Sequence, residues 1–252
     1  MLDPAPEMPE PPVVLPPAVL PVQRVGAALE VLLCSGFPTQ LIISAVLFGV
    51  GLRPETADGK FNAPFIFALT LADTVLLVGL ILFFFRSHGQ SLRAQLFRGG
   101  TSGRELLFGV ALIPISFLVV VFVLMLVQLI VPSLRNVPHN PLADLAKTPG
   151  QAALFALVVM IAGGVREEIQ RGFILRRFEQ YLGGGALGLI VFSALFGLGH
   201  LEQGRDVAIA TAVLGAFWGA VFLRRRSVAG PMVGHAGFNL LQVAKFLLVG
   251  HG

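Results

Sequence analysis

The 252-residue sequence predicts an all-α protein, a polytopic transmembrane helical bundle with about seven spans and an eighth possible. Three observations predict this fold class. Mean hydropathy is +0.83, with 55% apolar and 13% charged residues, far from the composition of soluble domains. Seven stretches approach the roughly 20 predominantly apolar residues that a helix needs to cross the hydrocarbon. Lys and Arg occur in short blocks between these stretches, as in topology-determining loops.

The chain begins with a proline-rich segment. Eight prolines fall within the first 23 residues, and the segment lacks the basic start and unbroken apolar run of a signal peptide. Residues 1–25 are therefore expected to form a disordered cytoplasmic tail. The apolar stretches that follow are 26–52, 62–85, 106–131, 151–175, 184–201, 207–223 and 228–249.

The chain divides at about residue 150. Residues 26–150 hold the first three stretches, and residues 151–250 hold four stretches together with the polar residues that suggest a function. The fourth stretch continues past its apolar part to Phe178. We expect one long helix here that leaves the membrane amphipathically.

The distribution of basic residues predicts the orientation. With the N-terminus in the cytoplasm, twelve Lys and Arg lie inside and five lie outside, which satisfies the positive-inside rule. The inside group is Arg24, Arg86, Arg93, Arg98, Arg104, Arg166, Arg171, Arg176, Arg177, Arg224, Arg225 and Arg226; the outside group is Arg53, Lys60, Arg135, Lys147 and Arg205. Tyr181 and Trp218, close to basic cytoplasmic clusters, are interpreted as interface anchors.

Six polar residues within or beside the apolar stretches of the C-terminal half are candidates for a site. They are Glu167, Glu168, Arg171, His200, His235 and Asn239. Ionisable groups are costly in hydrocarbon and are kept mainly when they pair or serve chemistry or transport. At about 1.5 Å per residue from the cytoplasmic basic residues, Glu167 and His235 lie about 14 to 15 Å deep and His200 about 22 Å deep. Three helices thus present Glu, His and His at comparable levels.

Each of these residues also has a simpler interpretation. Glu167 and Glu168 could merely pair with neighbouring arginines, such as Arg171 one turn from Glu167, and His200 could be an interfacial residue. His235 and Asn239, four residues apart, could bond across helices as polar glue. Of two further acids in the first spans, Glu30 is expected at the cytoplasmic interface, and Asp73 to cap a helix or pair with an arginine from another span.

At these residues the sequence resembles the bacterial type of the CAAX protease and bacteriocin-processing family of intramembrane glutamic endopeptidases. Its hallmarks are Glu-Glu-x-x-x-Arg, Phe-x-x-x-His and His-x-x-x-Asn segments on successive helices. Phe196 to His200 fits the second segment, and His235 to Asn239 fits the third. The resemblance covers roughly residues 155–245 and implies a catalytic, CAAX-protease-like helical core at 151–250.

The first family segment fits imperfectly. If Glu167 and Glu168 are aligned with the two glutamates, Gly172 occupies the family's arginine position and Arg171 comes one residue early. Aligning on Arg171 instead would put Arg166 in place of the first glutamate. We prefer the glutamate alignment, in which Arg171 remains about one turn away and is expected to contact Glu167 or Glu168.

The resemblance implies an endopeptidase that hydrolyses a peptide bond near the membrane surface with a glutamate-activated water and no cofactor. Glu167, beside Glu168, would be the base, and His200 would orient the water or protonate the leaving nitrogen. His235 and Asn239 would supply donors to the oxyanion, and Arg171 would support a glutamate. We expect Glu167, His200, His235 and Asn239 to line one cavity, with Glu167 and His200 close enough to share a water.

Three alternatives remain open. A zinc-dependent protease could use Glu and two His as ligands, although no His-Glu-x-x-His segment occurs. A non-catalytic scaffold or immunity-type membrane protein could keep the fold without hydrolysis. A proton-coupled transporter could use buried Glu and His, although no inverted repeat supports it.

The expected partners are a peptide or protein substrate at the membrane and the lipid bilayer. Nucleic acid is not expected despite a pI of about 10, because the basic residues follow the loops between apolar stretches. The single cysteine, Cys34, leaves no intramolecular disulfide framework and no cysteine-based zinc site. We expect a multi-pass protein of a bacterial plasma membrane with its N-terminus in the cytoplasm.

Overall fold

The computed structural model describes residues 19–98 and 101–249, so residues 1–18 of the expected disordered tail lie outside the described residues, whereas its last residues, 21–25, are helical. Within them there are α-helices, short 3₁₀ turns and a π-helical stretch but no β-strand, which confirms the all-α class. The helices are α1 (Pro21–Leu33), α2 (Phe37–Gly49), α3 (Ala63–Ser87), α4 (Leu92–Leu96), α5 (Gly103–Ile130), α6 (Pro149–Val158), α7 (Glu167–Tyr181), α8 (Gly185–Leu198), α9 (Arg205–Arg225) and α10 (Ala229–Val249).

Among the described helices, α3, α5 and α9 are long and apolar enough to cross a membrane, and α1 with α2 would form a fourth span if the bent pair is one crossing. Only 17% of the most apolar window of α5 is buried inside the protein, so its apolar side chains face outward, where lipid would cover them. These helices confirm a transmembrane bundle. The 14 residues of α8 extend about 21 Å, less than the hydrocarbon thickness, and the count of seven spans stays a prediction.

The first predicted span, 26–52, consists of two helices bent by 40° at residues 34–36. Gly36 has a φ of +92°, a left-handed conformation that glycine adopts without steric cost, and α2 begins at the next residue. The break leaves carbonyl groups at the end of α1 without helical partners. Gln170 of α7 donates its Nε2–H to one of them, the Cys34 carbonyl, at 2.8 Å. The bend is thus held against α7.

The predicted long fourth helix is present as one continuous helical run over residues 149–181. Its middle part, Val159–Arg166, is a π-helix between α6 and α7. A π-helical turn holds more residues than an α-helical turn, so it rotates the residues that follow about the helix axis; such turns frequently occur at functional sites. The π-helix ends directly before Glu167 and therefore sets the directions of the two glutamates.

Helix α10 packs closely against both the π-helix and α5 because glycines line these contacts. A Cβ on Gly164 of the π-helix would lie 2.6 Å from the Cβ of Ala236, and a Cβ on Gly109 of α5 would lie 2.6 Å from the Cβ of Val233. Small residues allow such close approach of helices within a membrane. Helix α10, which carries His235 and Asn239, is thereby held beside the two glutamates.

Helix α7 lies at the centre of the bundle, although its sequence is polar. Ten of its fifteen residues are buried, and it contacts α1, α3, α4, α8 and α9. Phe173 and Leu175 join the main apolar core, which also includes Leu77, Phe85 and Phe222. A buried helix with charged residues requires partners for those charges, and they are found on the surrounding helices.

Candidate active site

The two glutamates that open α7 have different environments. The side chain of Glu167 is 20% exposed and lines a cavity, whereas that of Glu168 is completely buried. Consecutive residues of an α-helix point in directions about 100° apart. The Glu167 carboxylate therefore faces the cavity, and the Glu168 carboxylate faces the protein interior.

Glu168 accepts two charged or polar donors on one oxygen. The Arg171 Nη1–H donates to Glu168 Oε1, which confirms the contact expected between Arg171 and one of the two glutamates. His235 Nδ1 lies 2.8 Å from the same oxygen. The guanidinium of Arg171 also lies 4.9 Å from the ring of Phe196 and 5.6 Å from that of Trp218. Arg171 thus balances the charge of Glu168, and aromatic faces surround it.

His235 is fixed in both ring orientation and hydrogen bonding. Its ring stacks on Trp218, with the centroids 3.9 Å apart and the planes inclined by 23°. With Nδ1–H donating to Glu168, the other ring nitrogen, Nε2, is directed to the cavity side, 3.7 Å from Glu167 Oε2. That separation is longer than a direct hydrogen bond. The two glutamates thus bracket one imidazole, one at each nitrogen.

Asn239 lies one turn beyond His235 on α10 and faces the π-helix. A Cβ added to Gly163 would come within 2.3 Å of Asn239 Nδ2 and 3.8 Å of His235 Nε2. The amide of Asn239 and Nε2 of His235 therefore approach the same residue of the π-helix, and only glycine leaves room for them there.

His200 is placed differently from the other candidates. It follows the end of α8, and its Nδ1 lies 2.8 Å from the Phe196 carbonyl oxygen, one turn earlier. Its ring lies 4.9 Å from the ring of Phe196, which in turn lies 6.4 Å from that of His235. In the described part of the chain, no hydrogen bond or ion pair joins His200 to Glu167. The partner of Glu167 at short range is His235, and the water shared by Glu167 and His200 stays a prediction.

The cavity beside Glu167 has a volume of about 160 Å³. The bend between α1 and α2 forms one wall, and aromatic and aliphatic side chains of α7 and α8 form the other. Of the four residues expected to line one cavity, only Glu167 does so. His235 adjoins the cavity through Glu167, whose Oε2 lies 3.7 Å from His235 Nε2, and Asn239 adjoins Gly163 of the π-helix. The expectation of a single cavity lined by all four residues was therefore wrong.

Arg166, which the sequence analysis counted among the basic residues of the cytoplasmic side, also lines this cavity. It is buried, and its Nη2 forms an ion pair at 2.9 Å with Asp73 of α3. Thr39 of α2 donates a hydrogen bond to Asp73, and Gln170 accepts one from Arg166 at 3.2 Å. The pairing expected between Asp73 and an arginine of another span is confirmed. This network fixes the residue next to Glu167.

One other expectation is changed by the structure. Trp218 is 1% exposed and donates its Nε1–H to Ser116 Oγ at 3.2 Å, so its interpretation as an interface anchor was wrong. It belongs to the site through its contact with His235, which the proximity of basic residues in the sequence had obscured. Glu30 is buried in an ion pair with Arg177, at 2.5 Å, and also contacts His88.

No group of three or more His, Cys, Asp and Glu side chains within the described ranges is arranged to hold a metal ion. Each of the two candidate histidines has its Nδ1 within hydrogen-bond distance of an acceptor. For His235 the acceptor is Glu168, and for His200 it is the Phe196 carbonyl oxygen. The nitrogens that remain for other chemistry are the two Nε2 atoms.

The fold and these contacts define a membrane protein with paired carboxylates and imidazoles in its interior. Residues 149–241 match the model of a protein family described as type II CAAX prenyl endopeptidase Rce1-like. All six candidate site residues fall within the matched segment. No curated protein and no solved structure matches the chain significantly.

The matched segment is thus similar to the CAAX protease and bacteriocin-processing family, a family of membrane proteases. The resemblance to this family stated from the sequence is thereby confirmed over the matched segment, and the bacterial type stays a prediction. Together with its apolar helices, the family makes this chain an integral membrane protein.

Proposed function

We propose that the chain is an intramembrane endopeptidase that hydrolyses a peptide bond of a peptide or protein substrate near the membrane surface, using a water activated by Glu167. The observation that carries this proposal is the arrangement around His235. One carboxylate, Glu168, holds Nδ1 at 2.8 Å, and a second, Glu167, stands 3.7 Å from Nε2 at the edge of a cavity. This resembles the general pattern in which one group orients an imidazole for reaction with another.

In the proposed reaction, Glu167 takes a proton from water while the water oxygen adds to the carbonyl carbon of the scissile bond. The Nδ2–H of Asn239 donates to the developing oxyanion, and Nε2 of His235, when protonated, is a second donor. The carbon–nitrogen bond then breaks, and the proton held by Glu167 passes to the leaving amine. His200 orients the water through its Nε2. Glu168 and Arg171 act on His235 and not on the substrate.

No cofactor is part of this mechanism, and the zinc-dependent alternative would require His235 and His200 as ligands. We also propose that the protein lies in a bacterial plasma membrane with its N-terminus in the cytoplasm. The bilayer would then present the substrate to the cavity side of Glu167.

The first test replaces the proposed base. The variant Glu167→Gln keeps the shape of the side chain but cannot accept the proton, so turnover is expected to fall at least about 10²-fold. New protein termini are counted in membranes that contain wild-type protein, the variant, or the control Glu202→Gln, whose carboxylate is exposed in the turn after His200. Equal cleavage products with wild type and Glu167→Gln, against membranes without the protein, would indicate that hydrolysis is not its function.

The second test separates the two protease mechanisms. Detergent-purified protein is exhaustively chelated, its metal content is measured, and activity is measured on the same sample. Full activity in metal-free protein is expected. Activity that disappears on chelation and returns with added zinc would overturn the glutamate mechanism in favour of the metal-dependent one.

A further inference from the structure

A second concave site lies on the loop that joins α3 to α5. Both helices are candidates to cross the membrane, so the loop between them lies at a membrane surface. The short helix α4 lies in this loop. A pocket of about 400 Å³ beside it is lined by Ser91, Arg93, Ala94, Phe97, Arg98 and Thr101.

The two arginines of this pocket are not neutralised by the protein. Arg93 and Arg98 are exposed, and neither forms an ion pair or hydrogen bond through its side chain with any residue in the described ranges. Other arginines of the same predicted membrane side are paired: Arg176 and Arg226 with Glu179, Arg177 with Glu30, and Arg225 with Glu105. The pocket therefore holds two uncompensated positive charges.

The remaining polar groups of the pocket suit an anion. Ser91 Oγ accepts a hydrogen bond from the backbone N–H of Ala94 at 3.2 Å, which leaves its own hydrogen available to donate. Thr101 adds a second hydroxyl, and the six lining residues that the structure describes include no carboxylate. Two guanidinium groups and two hydroxyl donors around one concavity match the oxygens of a phosphate group.

We propose that this pocket binds the phosphodiester headgroup of an anionic phospholipid. A lipid phosphate fits better than a free phosphate because the loop lies where headgroups are found, and because Ala94 and Phe97 add apolar surface beside the arginines. The predicted orientation places the pocket on the cytoplasmic side, where anionic lipid attracts basic residues.

The bound headgroup would stabilise the folded bundle, because α4 is joined to two central helices. Leu96 is completely buried and lies against Gly172 of α7, and its carbonyl oxygen accepts the Val228 N–H at 2.9 Å, directly before α10. Gln95 accepts hydrogen bonds from Arg176 of α7 at 3.0 and 3.1 Å. A ligand that binds only the folded protein raises its unfolding temperature.

The test measures binding and needs no enzymatic activity, so its outcome is independent of the proposed protease function. Purified protein in neutral detergent is titrated with dioctanoyl phosphatidylglycerol, and bound lipid is counted by native mass spectrometry while Tm is followed in parallel. Because a basic residue near a membrane surface contributes about 1 kcal/mol, Arg93→Gln and Arg98→Gln are each expected to weaken binding about fivefold, and the double variant roughly 25-fold.

Three controls decide the interpretation. Arg224→Gln removes an exposed arginine outside the pocket and should bind as wild type does; an equal loss there would show that only overall charge matters and would overturn the site. Equally tight binding of dioctanoyl phosphatidylcholine would overturn the anionic headgroup. The same rise in Tm with inorganic phosphate at equal concentration would overturn the lipid as ligand. The Tm of each variant without lipid verifies that the variants are folded.

Discussion

At the level of single residues, the position of Arg171 is matched to its surroundings. A Cβ at Gly172, the family's arginine position, would lie 2.9 Å from Leu96 Cδ2 and 3.0 Å from Val228 Cγ1. A guanidinium side chain has no room there. Arg171 instead points into a space between aromatic rings and reaches Glu168. Arg171, although one residue earlier than in the family pattern, therefore still forms the ion pair. Gly172 leaves the room that Leu96 and Val228 need.

Restoring the family order should therefore harm this protein. The double variant Arg171→Gly, Gly172→Arg leaves Glu168 buried without its cation, which costs about 3–5 kcal/mol, and forces a large side chain against Leu96, which adds about 1–3 kcal/mol. Thermal unfolding in detergent measures the loss. Gly79→Ala on α3, where a Cβ meets nothing within 4 Å, should be as stable as wild type or more so. A double variant of wild-type stability would show that the core accepts either order.

At the level of helices, the π-helix before α7 has the largest effect on the site. It presents Gly163 and Gly164 to α10, so that His235 and Asn239 approach the start of α7. An α-helix through the same residues would turn Glu167 and Glu168 to other directions. The geometry around His235 depends on this local helix type as much as on the residues themselves.

A methyl group at this contact should separate the two helices. Gly164→Ala would place a Cβ 2.6 Å from that of Ala236, and overpacking of this kind costs about 1–3 kcal/mol. Because His235 moves with α10, the variant should lose more proteolytic activity than its lower stability alone would explain. Gly150→Ala, in the same helical run but with nothing within 4 Å, is the matched control for both measurements. Unchanged activity and Tm in Gly164→Ala would contradict the proposed role of the close contact.

Part of the fold and part of the candidate site could be predicted from the sequence. Apolar runs predicted α3, α5, α9 and α10 to within a few residues, because hydropathy reports directly on membrane helices. The need of buried charges for partners predicted the contacts of Arg171 and Asp73.

Other features leave little trace in hydropathy. The bend at Gly36 and the π-helix interrupt no apolar run, so hydropathy does not reveal them. Counting residues along a helix estimates depth but not direction around the axis. For this reason the sequence placed Glu167, His200 and His235 at similar levels and did not show that Glu167 would face His235.

At the level of the whole molecule, ion pairs join the N-terminal helices to the core. Asp73 of α3 pairs with Arg166 of the π-helix, Glu30 of α1 with Arg177 of α7, and Glu105 of α5 with Arg225 of α9. Removing one partner of a buried pair costs more than the pair contributes, because the other charge is left uncompensated. The helices before residue 150 and those after it are therefore expected to unfold together.

Orientation in the membrane is the prediction that concerns the whole chain. In a Cys34→Ala background, a cysteine at position 60 (Lys60→Cys) and one at position 87 (Ser87→Cys) mark the two ends of α3. The positive-inside count places residue 60 outside and residue 87 inside. A membrane-impermeant maleimide should label the first in intact cells and the second only after permeabilisation. The reverse pattern would show that the N-terminus lies outside.

The stacking of Trp218 on His235 has a practical consequence. The sequence contains one tryptophan, and its indole ring lies 3.9 Å from the imidazole between the two glutamates. Intrinsic fluorescence excited at the red edge of indole absorption therefore originates at one place in the molecule. Because indole emission depends on the groups in contact with the ring, a change in the contact between Trp218 and His235 changes its intensity. The protein thus contains an unlabelled optical reporter that can follow ligand entry at the site in real time.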